Sequence, residues 1–185
     1  PSTAPLDPEK TKVFHTFVAK LLYLGMRARP DIALAVAFLT TRVTCPDKDD
    51  WNKLLQCVKY LNCTHHLKMT LSADSLPVLK WWVDASYAVH PNCHSQTGSV
   101  MTMGKGAIIS RSVKQKINTR SSTESELVAV DDMASHILWT NGFVQGQGFG
   151  VSGTVVYQDN KSAILLETNG QMSAGKRSKH ISVRY

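Results

Sequence analysis

Cysteine is scarce in this chain. Four residues in 185 (Cys45, Cys57, Cys63, Cys93) show no C-x-x-C pair, too few and too scattered for a secreted disulfide framework, and they are read as reduced thiols. Cys57, Cys63, His65 and His66 are metal-ligand types in one neighbourhood, but Cys57 falls at a helical apolar position, so packing is its expected role. Also missing is any uncharged apolar run near the ~20 residues that cross a bilayer, or a basic segment followed by an apolar one at the N-terminus. No membrane association and an intracellular protein are therefore expected, and the start at Pro1 without methionine is read as that of an excised piece. Acidic residues are in deficit: 14 against 21 Lys and Arg leave a net charge of +7 and a pI near 9.3. Such a balance favours a polyanionic partner, nucleic acid or an anionic membrane face, over an acidic substrate. No acid interrupts Lys105 to Arg120, where Lys105, Arg111, Lys114, Lys116 and Arg120 fall, and a second acid-free run holds Lys176, Arg177, Lys179 and Arg184. The plain alternative is two solvated faces.

What is present is enough apolar material, 43% of residues, for a packed core. Residues 1–10 read as a linker. Val13, Phe14, Phe17, Val18, Leu21, Leu22 and Leu24 follow a helical period over Thr11 to Met26. Arg29-Pro30-Asp31 breaks that helix and starts a second, from Ile32 to about Val43, because proline tolerates a first turn and aspartate suits its positive end. Cys45-Pro46-Asp47 repeats the punctuation, and a third helix carries Trp51, Leu54, Leu55, Val58 and Leu61. After Asn62 the period changes. Leu67 to Leu71 alternates as a strand, Ala73-Asp74-Ser75 reads as a turn, and Val78 to Tyr87 is β-rich. Strands follow at Ser99 to Met103 and Ala107 to Ser110 around a Gly104-Lys105-Gly106 hairpin turn. A long helix is expected from Thr123 to Val144 with a stripe at Leu127, Val130, Ala134, Ile137 and Leu138. A strand at Thr154 to Tyr157, a helix from Lys161, and a last helix at His180 to Tyr185 complete the pattern. The fold class is α/β: a mixed sheet of antiparallel hairpin strands plus a parallel crossover, flanked by helices. Residues 1–66 form a preceding helical segment and residues 67–185 the α/β domain.

Three carboxylates sit at element ends. Asp84 follows the strand Leu79 to Val83, Glu126 lies in the first turn of the long helix, and Asp159 closes Val155-Val156-Tyr157. Functional groups gather at the carboxyl ends of parallel strands and at nearby helix starts, so the three are candidates to converge. Convergent carboxylates repel unless cations lie among them, and hard oxygen ligands favour Mg²⁺ or Mn²⁺; two such ions can activate water and stabilise the leaving oxygen of a phosphodiester. Singly, each residue has a structural alternative: a turn at Asp84-Ala85-Ser86, a capping box of Thr123 with Glu126, and a cap at Asp159-Asn160.

The blocks Val83-Asp84-Ala85-Ser86-Tyr87-Ala88, Thr97-Gly98, Ser110 to Gln115, Ser121 to Ala129, Asp159-Asn160-Lys161-Ser162-Ala163 and Lys179-His180-Ile181 resemble, in order, those of ribonuclease H domains from Ty1/copia-type retrotransposons. Upstream, Leu21-Leu22-Tyr23-Leu24, Arg29 to Ala33 and Val58-Lys59-Tyr60-Leu61 resemble the thumb or connection segment that ends the reverse transcriptase of the same polyproteins. The resemblance implies a ribonuclease H-like fold from residue 67 and a helical reverse-transcriptase remnant before it. It implies metal-binding and catalytic roles for Asp84 and Asp159. It also implies a glutamate followed by apolar-x-Ala-apolar, which selects Glu126 over Glu124.

The implied reaction is two-metal hydrolysis, with Mg²⁺ or Mn²⁺, of the RNA strand of an RNA–DNA hybrid. Contacts to 2′-hydroxyls identify RNA; Ser86, Asn160 and Ser162 are candidates for them, and Lys114, Lys116 and Arg120 for phosphates. The implied partners are the hybrid and the rest of the reverse-transcriptase polyprotein, with a homodimer as a candidate assembly, in cytoplasmic virus-like particles or the nucleus. His90, His94 and His136 receive no role. Two departures stand out: Ser182 replaces the family's Asp after Lys-His-Ile, and the strand and helix bearing a fourth acidic ligand would follow Tyr185. Weak metal binding and poor cleavage are therefore expected of this segment alone. The rival readings are a nucleic-acid-binding or structural module of the same fold without cutting activity, and a related nuclease or integrase.

Overall fold

The computed structural model describes residues 4–74 and 78–169, which divide into two compact units, Pro1–Thr70 and Leu71–Tyr185. The expected helix at 180–185 and the second basic run lie outside the described residues.

In the first unit, helix α1 (Pro8–Arg27) is capped by Asp7, whose carboxylate accepts from the Lys10 backbone N–H at 2.8 Å, with Pro8 in the first turn; both choices satisfy or remove amide donors a helix start leaves free. A 3₁₀ turn (Pro30–Ile32) leads into α2 (Ala33–Thr40). Helix α2 is shorter than expected: residues 41–45 form turns, and within them Arg42 reaches buried Asp50 at 2.9 Å. Helix α3 (Lys48–Cys63) opens with a capping box between Asp47 and Asp50. The three helices enclose Phe14, Val18, Leu21, Ile32, Val36, Leu39, Leu54 and Cys57, so Cys57 is a packing residue. Arg29 pins the loop before α2 to the end of α3: its guanidinium bonds Asp31 at 2.7 Å and the Thr64 carbonyl at 3.0 Å, while the Tyr60 hydroxyl donates to Asp31 at 2.8 Å. Those donors hold the Asp31 carboxyl down at about 2. Phe14 is fully buried, and Phe14→Ala is expected to cost this unit about 3–5 kcal/mol through the lost transfer energy and the cavity left behind, read as a lowered urea midpoint.

The second unit carries a four-stranded sheet in the order β5 (Ile109–Lys114), β3 (Gln96–Thr102), β2 (Val78–Ser86) and β6 (Gly153–Tyr157). Strand β2 is central, antiparallel to β3 and parallel to β6; β5 is antiparallel to β3. Leu79, Trp81 and Val83 alternate to the buried face, where Met101 joins them and α4 (Ser122–Gly146) supplies Ala129, Met133 and Ile137. Helix α5 (Lys161–Asn169) buries Ala163 and Leu166. The α/β class with a mixed sheet is thus what the chain adopts.

Three local expectations are corrected. Leu67 to Leu71 is not a strand; among the described residues of this stretch only Ser72–Ala73 (β1) pairs, with Gly104–Lys105 (β4), because an alternating pattern needs a partner edge to become a ladder. Gly104-Lys105-Gly106 is accordingly not a simple hairpin turn. A Cβ at Gly104 would lie 2.7 Å from the Asp74 amide nitrogen, and Gly106 has φ of 77°, so both glycines are required by geometry. The stripe of α4 is met in part: Val130 and Ile137 pack against the core as expected, but the centre of the buried face is shifted. Its buried residues are Ser125, Glu126, Ala129, Met133 and Thr140, while Leu138 is 72% exposed.

Candidate metal centre

The parallel register of β2 and β6 brings two of the acids together. Trp82 is paired with Tyr157, and Asp84 and Asp159 each lie two residues further on, at the carboxyl ends of neighbouring strands. Glu126 comes from the opposite direction, on the helix face that packs on β2. It is the fifth residue of α4 and so belongs to its second turn, not the first as expected. One carboxylate oxygen from each of Asp84, Glu126 and Asp159 lies within 4.8 Å of the others. Asp84 and Asp159 are exposed, while Glu126 is 6% exposed.

The helix start is built so that Glu126 is spared other work. The N-cap is Ser121, not Thr123: its hydroxyl accepts from the Glu124 amide at 3.2 Å, and Glu124 returns to accept from the Arg120 amide at 2.7 Å. Glu124 is therefore engaged in a capping arrangement, and Glu126 stands in the stripe of Ala129 and Met133, where a core residue would otherwise sit. Burial pushes its carboxyl up to about 7, the negative charges of Asp84 and Asp159 add to the rise, and hydrogen bonds from Gln158 and the Ala85 backbone oppose it. A buried acid held that high beside two more carboxylates has the character of a site that a cation completes.

Gln158, immediately before Asp159, did not emerge from the sequence. Its Oε1 accepts from the Asp159 amide at 2.8 Å and the Asn160 amide at 3.3 Å, and its Nε2 donates to Glu126 at 3.1 Å. The one signal was its place between a strand end and an acid. Gln115 was also missed as an individual: it is 1% exposed and donates to Thr97 and to the Ser125 carbonyl, tying β5 to the start of α4, while Thr97 donates to Asp132. Buried amides of this kind look like surface residues in a linear pattern.

The other expected contact residues are spread differently. Ser86, Gln96 and Lys114 form one row across β2, β3 and β5, one pleat beyond Asp84 on the same face. Two interstrand spacings put Lys114 ~10 Å from the Ser86 strand. Lys116 and Arg120 are exposed in the segment between β5 and α4. Asn160 caps α5, its side-chain oxygen accepting from the Ser162 and Ala163 amides at 3.0 and 3.1 Å; that oxygen and the Ser162 amide serve the helix first. His90 bonds Gln96, and His94 bonds the Gln115 carbonyl, each at 2.7 Å.

The fold and site together define an α/β domain with a three-carboxylate cluster, fit for a divalent cation, at the ends of two parallel strands. The chain is 34% identical over 187 aligned positions, its entire length, to a retrovirus-related Pol polyprotein from transposon TNT 1-94 of Nicotiana tabacum. It is 31% and 29% identical, over 96% and 93% of its length, to those of transposons RE2 and RE1 of Arabidopsis thaliana. The chain belongs to the Pol polyproteins of copia-type retrotransposons. It spans 14% of the tobacco polyprotein and 12% of each Arabidopsis one. No protein-family model matches it, and no solved structure does. Among the described residues no helix is long and apolar enough to cross a membrane.

Proposed function

We propose that residues 67–185 are the ribonuclease H domain of a copia-type Pol polyprotein, that residues 1–66 are the helical end of its reverse transcriptase, and that the domain cleaves the RNA strand of RNA–DNA hybrids within the cell. The observation that carries this reading is the meeting of Asp84, Glu126 and Asp159 within 4.8 Å, in a chain related end to end to Pol polyproteins. The donor set, three carboxylates with no nitrogen or sulfur, fits Mg²⁺ or Mn²⁺. When bound, such ions lower the pKa of water and neutralise charge on a leaving oxygen. The chain's own residues do the rest. Asp84 and Asp159 offer ligand oxygens from the sheet, and Glu126 offers one from the helix. Ser86, Asn160 and Ser162, on the adjoining strand and helix ends, are the candidates for ribose hydroxyls, and Lys114, Lys116 and Arg120 those for phosphates. The decisive experiment is Mn²⁺-dependent cutting of a labelled hybrid, its loss in Asp84→Asn, and no cutting of duplex DNA. A form extended past Tyr185 by the expected strand and helix that binds the hybrid yet never cuts it would be the non-catalytic module instead.

The basic residues carry a separate expectation. Each phosphate contact contributes roughly 0.9 to the slope of log affinity against log salt. The double charge reversal Lys114→Glu with Lys116→Glu is therefore expected to reduce the slope for hybrid binding by about 2, and an unchanged slope would remove both lysines from the interface.

A further inference from the structure

We propose that Gln158 is a positioning residue that sets which cation the cluster accepts, by leaving Glu126 only one oxygen with which to bind it; this rests on the metal-centre reading above. The orientation of the Gln158 carboxamide is not free. Two backbone N–H groups, of Asp159 and Asn160, point at Oε1, and an amide nitrogen in that place would face two donors with no lone pair to offer. The amino end is therefore the end turned to Glu126, where it donates to Oε2 at 3.1 Å. The backbone N–H of Ala85 is a second donor to the same carboxylate, and burial of Glu126 to 6% exposure leaves it little room to swing away. A carboxylate held in this way can give a cation one oxygen readily, and a second only by breaking the Gln158 bond.

That constraint discriminates between ions. Mg²⁺ and Mn²⁺ suit octahedral sites, in which carboxylates bind through single oxygens and water fills the remainder, whereas Ca²⁺ takes six to eight oxygens and commonly binds a carboxylate through both. Gln158 thus works against the larger ion while costing the smaller one nothing. The same side chain shapes the turn that carries Asp159, so one residue couples the helix acid to the strand-end acid. Partners of this kind typically change metal affinity 10–100-fold when removed.

The test is calorimetric titration of the whole chain with Mg²⁺, Mn²⁺ and Ca²⁺ separately, needing no turnover. Gln158→Met removes both ends of the amide. Gln158→Asn is the control for folding: an asparagine oxygen can still accept from the backbone two residues on, as in an Asx turn, but its nitrogen falls a methylene short of Glu126. Both variants are expected to lower the ratio of Mg²⁺ to Ca²⁺ affinity about tenfold or more, with Gln158→Asn melting like the parent in EDTA. Parental metal binding with unchanged ion ratios in both variants overturns the role of Gln158 alone. Failure of the parent chain to bind any of the three ions overturns the metal centre, and this inference with it.

Discussion

Asp84→Asn is expected to abolish both Mn²⁺-dependent hybrid cleavage and the thermal stabilisation that divalent ions confer, while leaving the metal-free protein at least as stable as the parent. A ligand that binds only the folded state stabilises by about 2.7 kcal/mol at a hundred times its dissociation constant, which for a chain of this size is a rise in Tm of roughly 5–10 °C. Losing an inner ligand should weaken binding by at least the ~100-fold that outer-shell changes can reach, so most of that rise disappears at the same ion concentration. The sign in EDTA separates this from general damage. Asp84 is exposed and its negative charge helps to push the Glu126 carboxyl upward; its removal relieves repulsion and leaves no buried cavity. A variant that loses the metal response but not its fold is the expected result, and one whose metal response equals the parent's would remove Asp84 from the centre.

The second large effect is on pH dependence. Glu126 rises from an ordinary 4.5 to about 7 on folding, so between those values the folded chain binds more protons than the unfolded one, and stability falls as pH increases. The contribution is fully present below about pH 4.5 and is lost as pH passes through 7. Unscreened, the shift corresponds to about 3 kcal/mol; the exposed carboxylates around it admit solvent, and about 1–2 kcal/mol is the expected size after screening. In EDTA the parent should therefore melt several degrees lower at pH 8 than at pH 5. Saturating Mg²⁺ should cancel the fall, since a cation replaces the proton. Glu126→Gln should flatten the profile and exceed the parent's stability at pH 8, because the neutral amide fills the same space without a buried charge. A parent whose stability rises over this interval would contradict the assignment.

The two effects locate what was legible before folding. The acids were found because each stands at a change of period, Asp84 after an alternating apolar run and Asp159 after Val155-Val156-Tyr157, and strand ends are where a parallel sheet exposes function. Choosing Glu126 over Glu124 rested on the family-like run Leu127-Val128-Ala129-Val130; the structure gives a physical counterpart, with Glu124 engaged in capping and Glu126 on the sheet-facing stripe. The caps themselves were half legible. Asp7 and Asp47 do what aspartate before a helix does, but Ser121-Ser122-Thr123 offers three hydroxyls in a row, and only the approach of the chain from β5 decides that Ser121 is the one outside the helix. Gln158 and Gln115 were invisible because a glutamine is polar wherever it sits, and its burial depends on neighbours remote in the chain.

The sequence by itself determined the succession of helices and strands, the α/β class, the excess of positive charge, the kinship with retrotransposon polyproteins and the identity of the three acids. These follow from local periodicity, capping chemistry and motif order, which involve residues within a few positions of each other. Only the tertiary structure decided the rest: that β2 and β6 run side by side in the register that aligns Asp84 with Asp159, that α4 rolls to bury Glu126 and expose Leu138, that Leu67 to Leu71 forms no strand, and that Gln158 bridges helix and strand. Each depends on which surfaces meet, and the proton affinity of Glu126 depends on them most of all, because a carboxyl takes its pKa from the charges and solvent that folding places around it.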